Sequence, residues 1–273
     1  MVIATMHQKD VAIQPVLEQS LGVKCVTCSE VNTDQFGTFT REVKRLGTML
    51  DAARAKIEAA KKLISADLFL ASEGSFGPHP DYFFLQSNYE ILLLVDMLSE
   101  FEVMGEYRTS NTVCSGKSVA SLEEAIAFAT EHNFPHQGII LRPTENSPEH
   151  IYKELATLEE LKEKFTHLQT SLGLEQLYLE TDLRAHRNPA RMQAIGQATL
   201  DLVEKIRSEC PNCNTPGFRA TSVERGLPCA WCGYPTSMPL YTIYTCTKCN
   251  HTEKRKFQDL EFADPGFCNH CNP

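Results

Sequence analysis

Four Cys-x-x-Cys pairs close the chain: Cys210/Cys213, Cys229/Cys232, Cys246/Cys249 and Cys268/Cys271. Two thiolates at that spacing bend around one metal ion as a knuckle, and a second knuckle completes the tetrahedron that zinc prefers. The 15 residues between Cys213 and Cys229, and the 18 between Cys249 and Cys268, are zinc-ribbon intervals. The pattern predicts two structural zinc ions. Such intervals favour sequential pairing, first pair with second and third with fourth; the interleaved alternative joins first with third and second with fourth. A disulfide framework is disfavoured, because no secretory segment is seen and 273 residues can build a core without covalent staples. A fifth Cys-x-x-Cys, Cys25 to Cys28, lies in an apolar run and reads as buried strand cysteines; a redox pair normally sits at a helix N-terminus, which lowers the thiol pKa.

Two polar clusters elsewhere could carry chemistry. The segment Ala71-Ser-Glu-Gly-Ser-Phe-Gly77 follows a short apolar run, which puts the Glu73 carboxylate at a strand tip between residues small enough for a ligand to approach the backbone. A carboxylate so placed is a candidate ligand for Mg²⁺, which binds a few carboxylates together with phosphate oxygens and water. Asp51 and Glu42 add carboxylates near the start of the preceding helix, where negative charge also favours the helix N-terminus. The segment from Leu179 to Arg191 holds Asp182, Arg184, His186, Arg187 and Arg191 ahead of a long helix. Arginine forks suit phosphate or carboxylate recognition. Asn188 and Pro189 are also a helix start, with Asn188 as N-cap.

The elements that must position these residues alternate. Val2–Thr5 reads as a strand, Lys9–Ser20 as a helix, Val23–Cys28 as a strand, and the stretch from Thr48 to Ser65 as a helix with Ala53, Ile57, Ala60 and Ile64 on one face. Leu68–Ala71 follows as a buried strand. Glu90–Asp96 and Phe101–Arg108 read as a hairpin, Ser121–His132 as a helix, Gly138–Arg142 as a strand, Thr157 as the start of a helix, Gln176–Glu180 as a strand and Pro189–Ser208 as a long helix. Crossovers mixed with hairpins predict an α/β fold with a mixed central sheet flanked by helices in residues 1–208, and a tandem zinc-ribbon domain in 209–273.

Charge narrows the function classes. Residues 1–209 hold 20 Lys and Arg against 30 Asp and Glu, whereas 210–273 hold 6 against 5. An acidic body repels polyanions, so nucleic-acid binding by the main domain is not expected, and the cluster Lys254-Arg255-Lys256 reads as a solvated hairpin face. The longest apolar stretch, Ile91–Leu98, is too short to span a bilayer; a cytoplasmic protein is expected.

Over nearly its whole length the chain resembles an uncharacterised bacterial family, a domain of unknown function. The residues that carry the resemblance are Asp34-Gln-Phe-Gly-Thr-Phe39, Ala71-Ser-Glu-Gly-Ser-Phe-Gly-Pro-His-Pro80, Glu180-Thr-Asp-Leu-Arg-Ala-His186 with Asn188-Pro189, and Asp264-Pro-Gly266. More remotely, residues 2–205 resemble the inosine/xanthosine triphosphate pyrophosphatases and the Maf-like nucleotide pyrophosphatases. Ala4-Thr5 with His7 and Lys9, the spacing Asp51, Ala53, Lys56, the strand ending Ala71-Ser-Glu73-Gly74 and Ala185-His186-Arg187 carry that likeness. It departs where His7 and Ala52 replace usual asparagines and Glu73 replaces an acidic pair. The resemblance implies a nucleotide cleft and Mg²⁺-dependent release of pyrophosphate from a nucleoside triphosphate, with Asp51 and Glu73 on the metal. Lys9, Asp182, Arg184, His186, Arg187 and Arg191 would then contact the nucleotide. The zinc ribbons would close the cleft, bind a partner or support a homodimer. The alternative is a non-enzymatic nucleotide-binding module whose zinc tail docks protein or RNA.

Overall fold

The computed structural model describes residues 1–37, 43 and 45–272; Glu42 and the end of the polar segment after Gly37 lie outside them. The elements run in the order β1 (Val2–Ala4), α1 (Asp10–Leu21), β2 (Val26–Thr27), α2 (Met49–Lys61), β3 (Leu68–Pro78), β4 (Gln86–Asp96) and β5 (Phe101–Thr109). Then follow β6 (Gly116–Val119), α3 (Leu122–Glu131), β7 (Ile139–Arg142), α4 (Leu158–Leu172), β8 (Leu177–Thr181) and α5 (Pro189–Arg207). The chain ends with β9 (Arg219–Arg225), β10 (Pro239–Thr245) and β11 (Thr252–Lys256). Two compact units result, Met1–Val203 and Glu204–Pro273. Among the described residues no helix is long and apolar enough to cross a membrane.

The first unit is a mixed α/β structure built on a five-stranded sheet of order β2-β1-β3-β4-β5. β2, β1 and β3 are parallel, and β4 and β5 add antiparallel neighbours. The parallel crossovers, β1 to β2 through α1 and β2 to β3 through α2, run in opposite directions across the sheet, and right-handed crossovers then place the two helices on opposite faces. α2 packs Ala53, Ile57 and Ala60 against Phe69 and Ala71 of β3 and Val2 and Ala4 of β1. On the other face Gly105 of β5 lets α5 approach closely: a Cβ there would lie 2.5 Å from the Leu202 Cβ and from the Ala198 carbonyl oxygen. A smaller antiparallel sheet, β6-β8-β7, carries α3 and α4 over a separate apolar cluster that includes Phe128, Phe165, Leu141 and Leu179.

β3 corrects one expectation. Ser72–Pro78 is not a loop after a short strand but the second half of a long one, paired with β4 from Leu68↔Asp96 to Pro78↔Gln86. β1 stops at Ala4↔Ala71, so the parallel side of the sheet ends where the expected strand tip lay. Glu73 therefore sits inside a strand, two residues past the last rung of its parallel neighbour. Gly74 serves packing rather than a turn: opposite it in register is Glu90, and a Cβ on Gly74 would fall 2.3 Å from Glu90 Oε1 and 2.5 Å from Arg191 Nη2.

The helix ends follow local chemistry. Thr48 and Asp51 form a reciprocal capping box on α2, and Ser121 and Thr157 cap α3 and α4. Asn188 Oδ1 accepts from Arg191 N at 2.9 Å, which makes it the N-cap of α5 ahead of Pro189, as read from the sequence.

The second unit is a three-stranded antiparallel sheet, β11-β10-β9, with knuckles at both ends. Its strands are mostly half-buried or exposed, and Phe218 packs with the sulfurs of Cys210 and Cys246 and with Tyr244.

The overpacking at Gly74 is testable. Gly74→Ala should lower stability by about 2–3 kcal/mol in denaturant unfolding. Gly77→Ala, three residues along the same strand with nothing within 4 Å of the added carbon, should leave the midpoint unchanged or raise it.

Candidate metal centres and a cationic crevice

The eight tail cysteines gather into two groups of four: Cys210, Cys213, Cys246 and Cys249, and Cys229, Cys232, Cys268 and Cys271. This is the interleaved arrangement, and it overturns the sequential pairing favoured by the intervals. The reason is the length of the strands. β9 holds seven residues, an extended run of about 23 Å. It carries the chain away from the first knuckle to the second, β10 returns it to the third, and β11 leads back towards the fourth.

In each group the donor sulfurs lie within 4.8 Å of one another. The Cys210–Cys249 and Cys213–Cys246 separations are 3.7 and 3.6 Å, and the Cys229–Cys271 and Cys232–Cys268 separations are 3.5 and 3.6 Å. A tetrahedron with metal–sulfur bonds of about 2.3 Å has edges of about 3.8 Å, whereas a disulfide needs about 2.05 Å. Both groups can thus hold a structural metal ion, and four thiolates fit zinc. Among the described residues no other set of three or more His, Cys, Asp or Glu converges in this way. Cys25 and Cys28 are buried as expected, and burial pushes their thiols above the usual range.

The second site arises from the mismatch between β1 and β3. Among the described residues, β3 beyond Ala71 has a strand partner only on its β4 side. The carbonyls facing the vacated side are taken by side chains: Lys9 and Lys56 Nζ donate to Ser72 O at 3.4 and 3.2 Å, and Arg45 Nη2 donates to Gly74 O at 2.7 Å. Lys9 comes from the turn after β1, where His7 and Gln8 adopt left-handed backbone at φ 60° and 56°. Lys56 comes from the apolar face of α2.

Two carboxylates lie among these cations. Glu73 pairs with Lys56 through Oε1 and with Arg45 at 3.1 Å through Oε2. Burial opposes its ionisation, but Lys56, Lys9 and Arg45 outweigh that and hold the carboxyl below the usual range. Glu90, fully buried, accepts from Arg191 Nε at 2.8 Å and from Asn88 Nδ2 at 2.8 Å. Arg191 Nη1 also donates to Leu183 O at 2.6 Å. Among the described residues, four basic side chains thus face two carboxylates. Lys9 bears the surplus: burial first, then Arg191 and Lys56, lower its pKa to about 7, with partial relief from Glu90 and Glu73. Among the described residues, Ser72 Oγ and Arg45 Nε are buried with no hydrogen-bond partner.

The sequence-predicted residues divide. Lys9, Glu73 and Arg191 gather in one buried cluster, and His186 stacks on His7 with ring centroids 5.2 Å apart. Burial, Arg184 and His7 depress the His186 pKa. Asp51 is elsewhere employed: its carboxylate accepts from Thr48 N and Oγ1 at 2.9 and 2.7 Å, and those bonds lower its pKa. Asp182 and Arg184 pair at 2.6 Å, Arg184 also reaches Glu154 at 2.5 Å, and Arg187 donates to Leu155 O. These contacts fasten the turn before α5. Arg45, Glu90 and Ser72 were not anticipated as site residues, and Lys56 only through its spacing from Asp51. A lysine on an apolar helix face and a glutamate leading an apolar strand are the signals that could have found Lys56 and Glu90; Arg45 carries none.

A family model described as a domain of unknown function, DUF6671, matches residues 56–273. The chain belongs to that family. The match covers Lys56, Glu73, Glu90, Arg191 and all eight knuckle cysteines, and begins after Lys9 and Arg45. No curated protein and no solved structure matched the chain.

Two outcomes test the sites. The Cys213→Ser/Cys249→Ser double variant should lose one of two zinc equivalents by elemental analysis; sequential pairing would cost both. For Lys9, a folded pKa near 7 against about 10.4 unfolded means the unfolded chain binds the extra proton between those values, so stability rises with pH there. Relative to Lys9→Met, the wild type should gain up to about 1.4 kcal/mol per pH unit above pH 7, read from urea midpoints.

Proposed function

We propose that the first unit binds a phosphorylated small molecule, a nucleotide being the expected class, in the crevice beyond the end of β1, and that the second unit is held by two structural zinc ions. The observation that carries the reading is the excess of buried cations over carboxylates at one sheet position. That position also matters topologically: strand order reverses at β1, and open α/β sheets bind ligands outside the carboxyl ends of strands at such a point. The start of α1 adds its dipole. A phosphate arriving there meets Lys56, Arg45 and Arg191, and draws a proton onto Lys9. The rest of the unit is acidic, so the crevice is a local reversal of sign, suited to a small anion rather than to a polyanion.

Release of pyrophosphate with Mg²⁺ on Asp51 and Glu73, the activity implied by the nucleotide pyrophosphatase resemblance, asks more. Glu73 would have to exchange Lys56 and Arg45 for metal, and Asp51 would have to leave the cap of α2. Binding requires neither, and the geometry supports binding best.

Calorimetry with inorganic pyrophosphate and a panel of nucleoside triphosphates, each with and without Mg²⁺, tests this. Binding should occur without Mg²⁺ and weaken at least about tenfold, about 1.4 kcal/mol, in Arg45→Met and Lys9→Met. Heats absent from the whole panel would rule the reading out; binding that appears only with Mg²⁺ and is lost in Glu73→Gln would favour the metal-dependent one.

A further inference from the structure

We propose that Lys9 is an amine nucleophile that forms a Schiff base with an aldehyde or ketone carrying a phosphate group, an inference that rests on the anion-binding reading above. The placement of Lys9 is poorly explained by structure alone. Its hydrogen bond, to Ser72 O at 3.4 Å, is long, and the same carbonyl is already served by Lys56 at 3.2 Å. Lys56 pairs directly with Glu73, whereas no carboxylate pairs with Lys9 among the described residues. Yet the chain adopts two successive left-handed non-glycine residues, His7 and Gln8, to deliver it. Strain of that kind persists where the surroundings enforce it and often marks functional positions.

The chemistry of the surroundings agrees. An amine attacks only when unprotonated, and burial beside Arg191 and Lys56 brings Lys9 to a pKa of about 7. The nitrogen lone pair adds to the carbonyl carbon, the C=O π pair moves to oxygen, and the carbinolamine then expels that oxygen as water with the two amine hydrogens. The C=N bond replaces the C=O bond with no change of oxidation state and no co-reactant. Ser72 Oγ, 1% exposed as a residue and without a hydrogen-bond partner, is a hydroxyl available to donate to the oxygen that leaves. The ligand's phosphate would take up Arg45 and Arg191 and raise the Lys9 pKa; the fraction of amine still neutral at pH 7.5 attacks a carbonyl held beside it, and that proximity outweighs the smaller neutral fraction. Arg45, a quarter exposed, is the cluster member able to swing outward and admit it.

The test treats the full-length protein with glycolaldehyde phosphate and cyanoborohydride at pH 7.5, then maps modified lysines by peptide mass. Glycolaldehyde without phosphate is the parallel probe, and inorganic pyrophosphate the competitor. The expected result is a reduced adduct on Lys9, formed at least about tenfold faster with the phosphorylated probe and suppressed by pyrophosphate. Modification confined to other lysines would overturn the proposal. If pyrophosphate binds by calorimetry but Lys9 stays unmodified, the nucleophile is refuted and the anion-binding reading survives. Equal labelling of Lys9 by both probes, without competition, would overturn the phosphorylated substrate class and anion binding together.

Discussion

A strand that stops early governs the first unit. β1 ends opposite Ala71 while β3 continues for seven residues, so the carbonyls of Ser72 and Gly74 lose the neighbour that would have supplied backbone N–H groups. Buried carbonyls without partners are costly, and the fold satisfies them with Lys9, Lys56 and Arg45. Cations drawn in for that purpose then need countercharge, which Glu73 supplies; Glu90 answers Arg191 from the strand beside it. Gly74 leaves the room that Glu90 and Arg191 require. Fold and site thus share one cause.

The balance within that cluster sets its chemistry. Buried charges persist when paired; here Arg191 pairs one to one with Glu90, and Lys56 and Arg45 share Glu73. Lys9 is left over, and its pKa falls because the interior disfavours a further unpaired charge. A phosphate would reverse that preference. The donors are held in place before a ligand arrives, which reduces the ordering cost of binding.

Much of this was legible in advance, and the failures have physical reasons. The order of strands and helices in the first unit followed from apolar periodicity except for β6, whose Gly116-Lys-Ser-Val119 has no apolar alternation, and the caps at Thr48 and Asn188 followed from residue type. Glu73, Lys9 and Arg191 were identified as site residues, but the partners Glu90 and Ser72 lie in apolar runs where a single polar residue looks incidental, and Arg45 lies outside any periodic segment. The length of β3 was misread because Gly74, Gly77 and Pro78 resemble turn residues; their tolerance in a strand depends on what β4 and α5 place beside them. The cysteine spacing identified two four-thiolate groups but not their membership, since pairing depends on strand direction in β9, β10 and β11 rather than on intervals.

The central claim is that the crevice at Ser72 is a cationic site whose charge is completed by an anion. A direct measurement is NMR titration of Lys9 in protein carrying ¹³C-labelled lysine, with the signal assigned by Lys9→Arg, in the absence and presence of inorganic pyrophosphate. The account predicts a midpoint near pH 7 for the free protein and a clear upward shift with pyrophosphate. A midpoint near the ordinary lysine value, unmoved by pyrophosphate, would contradict it.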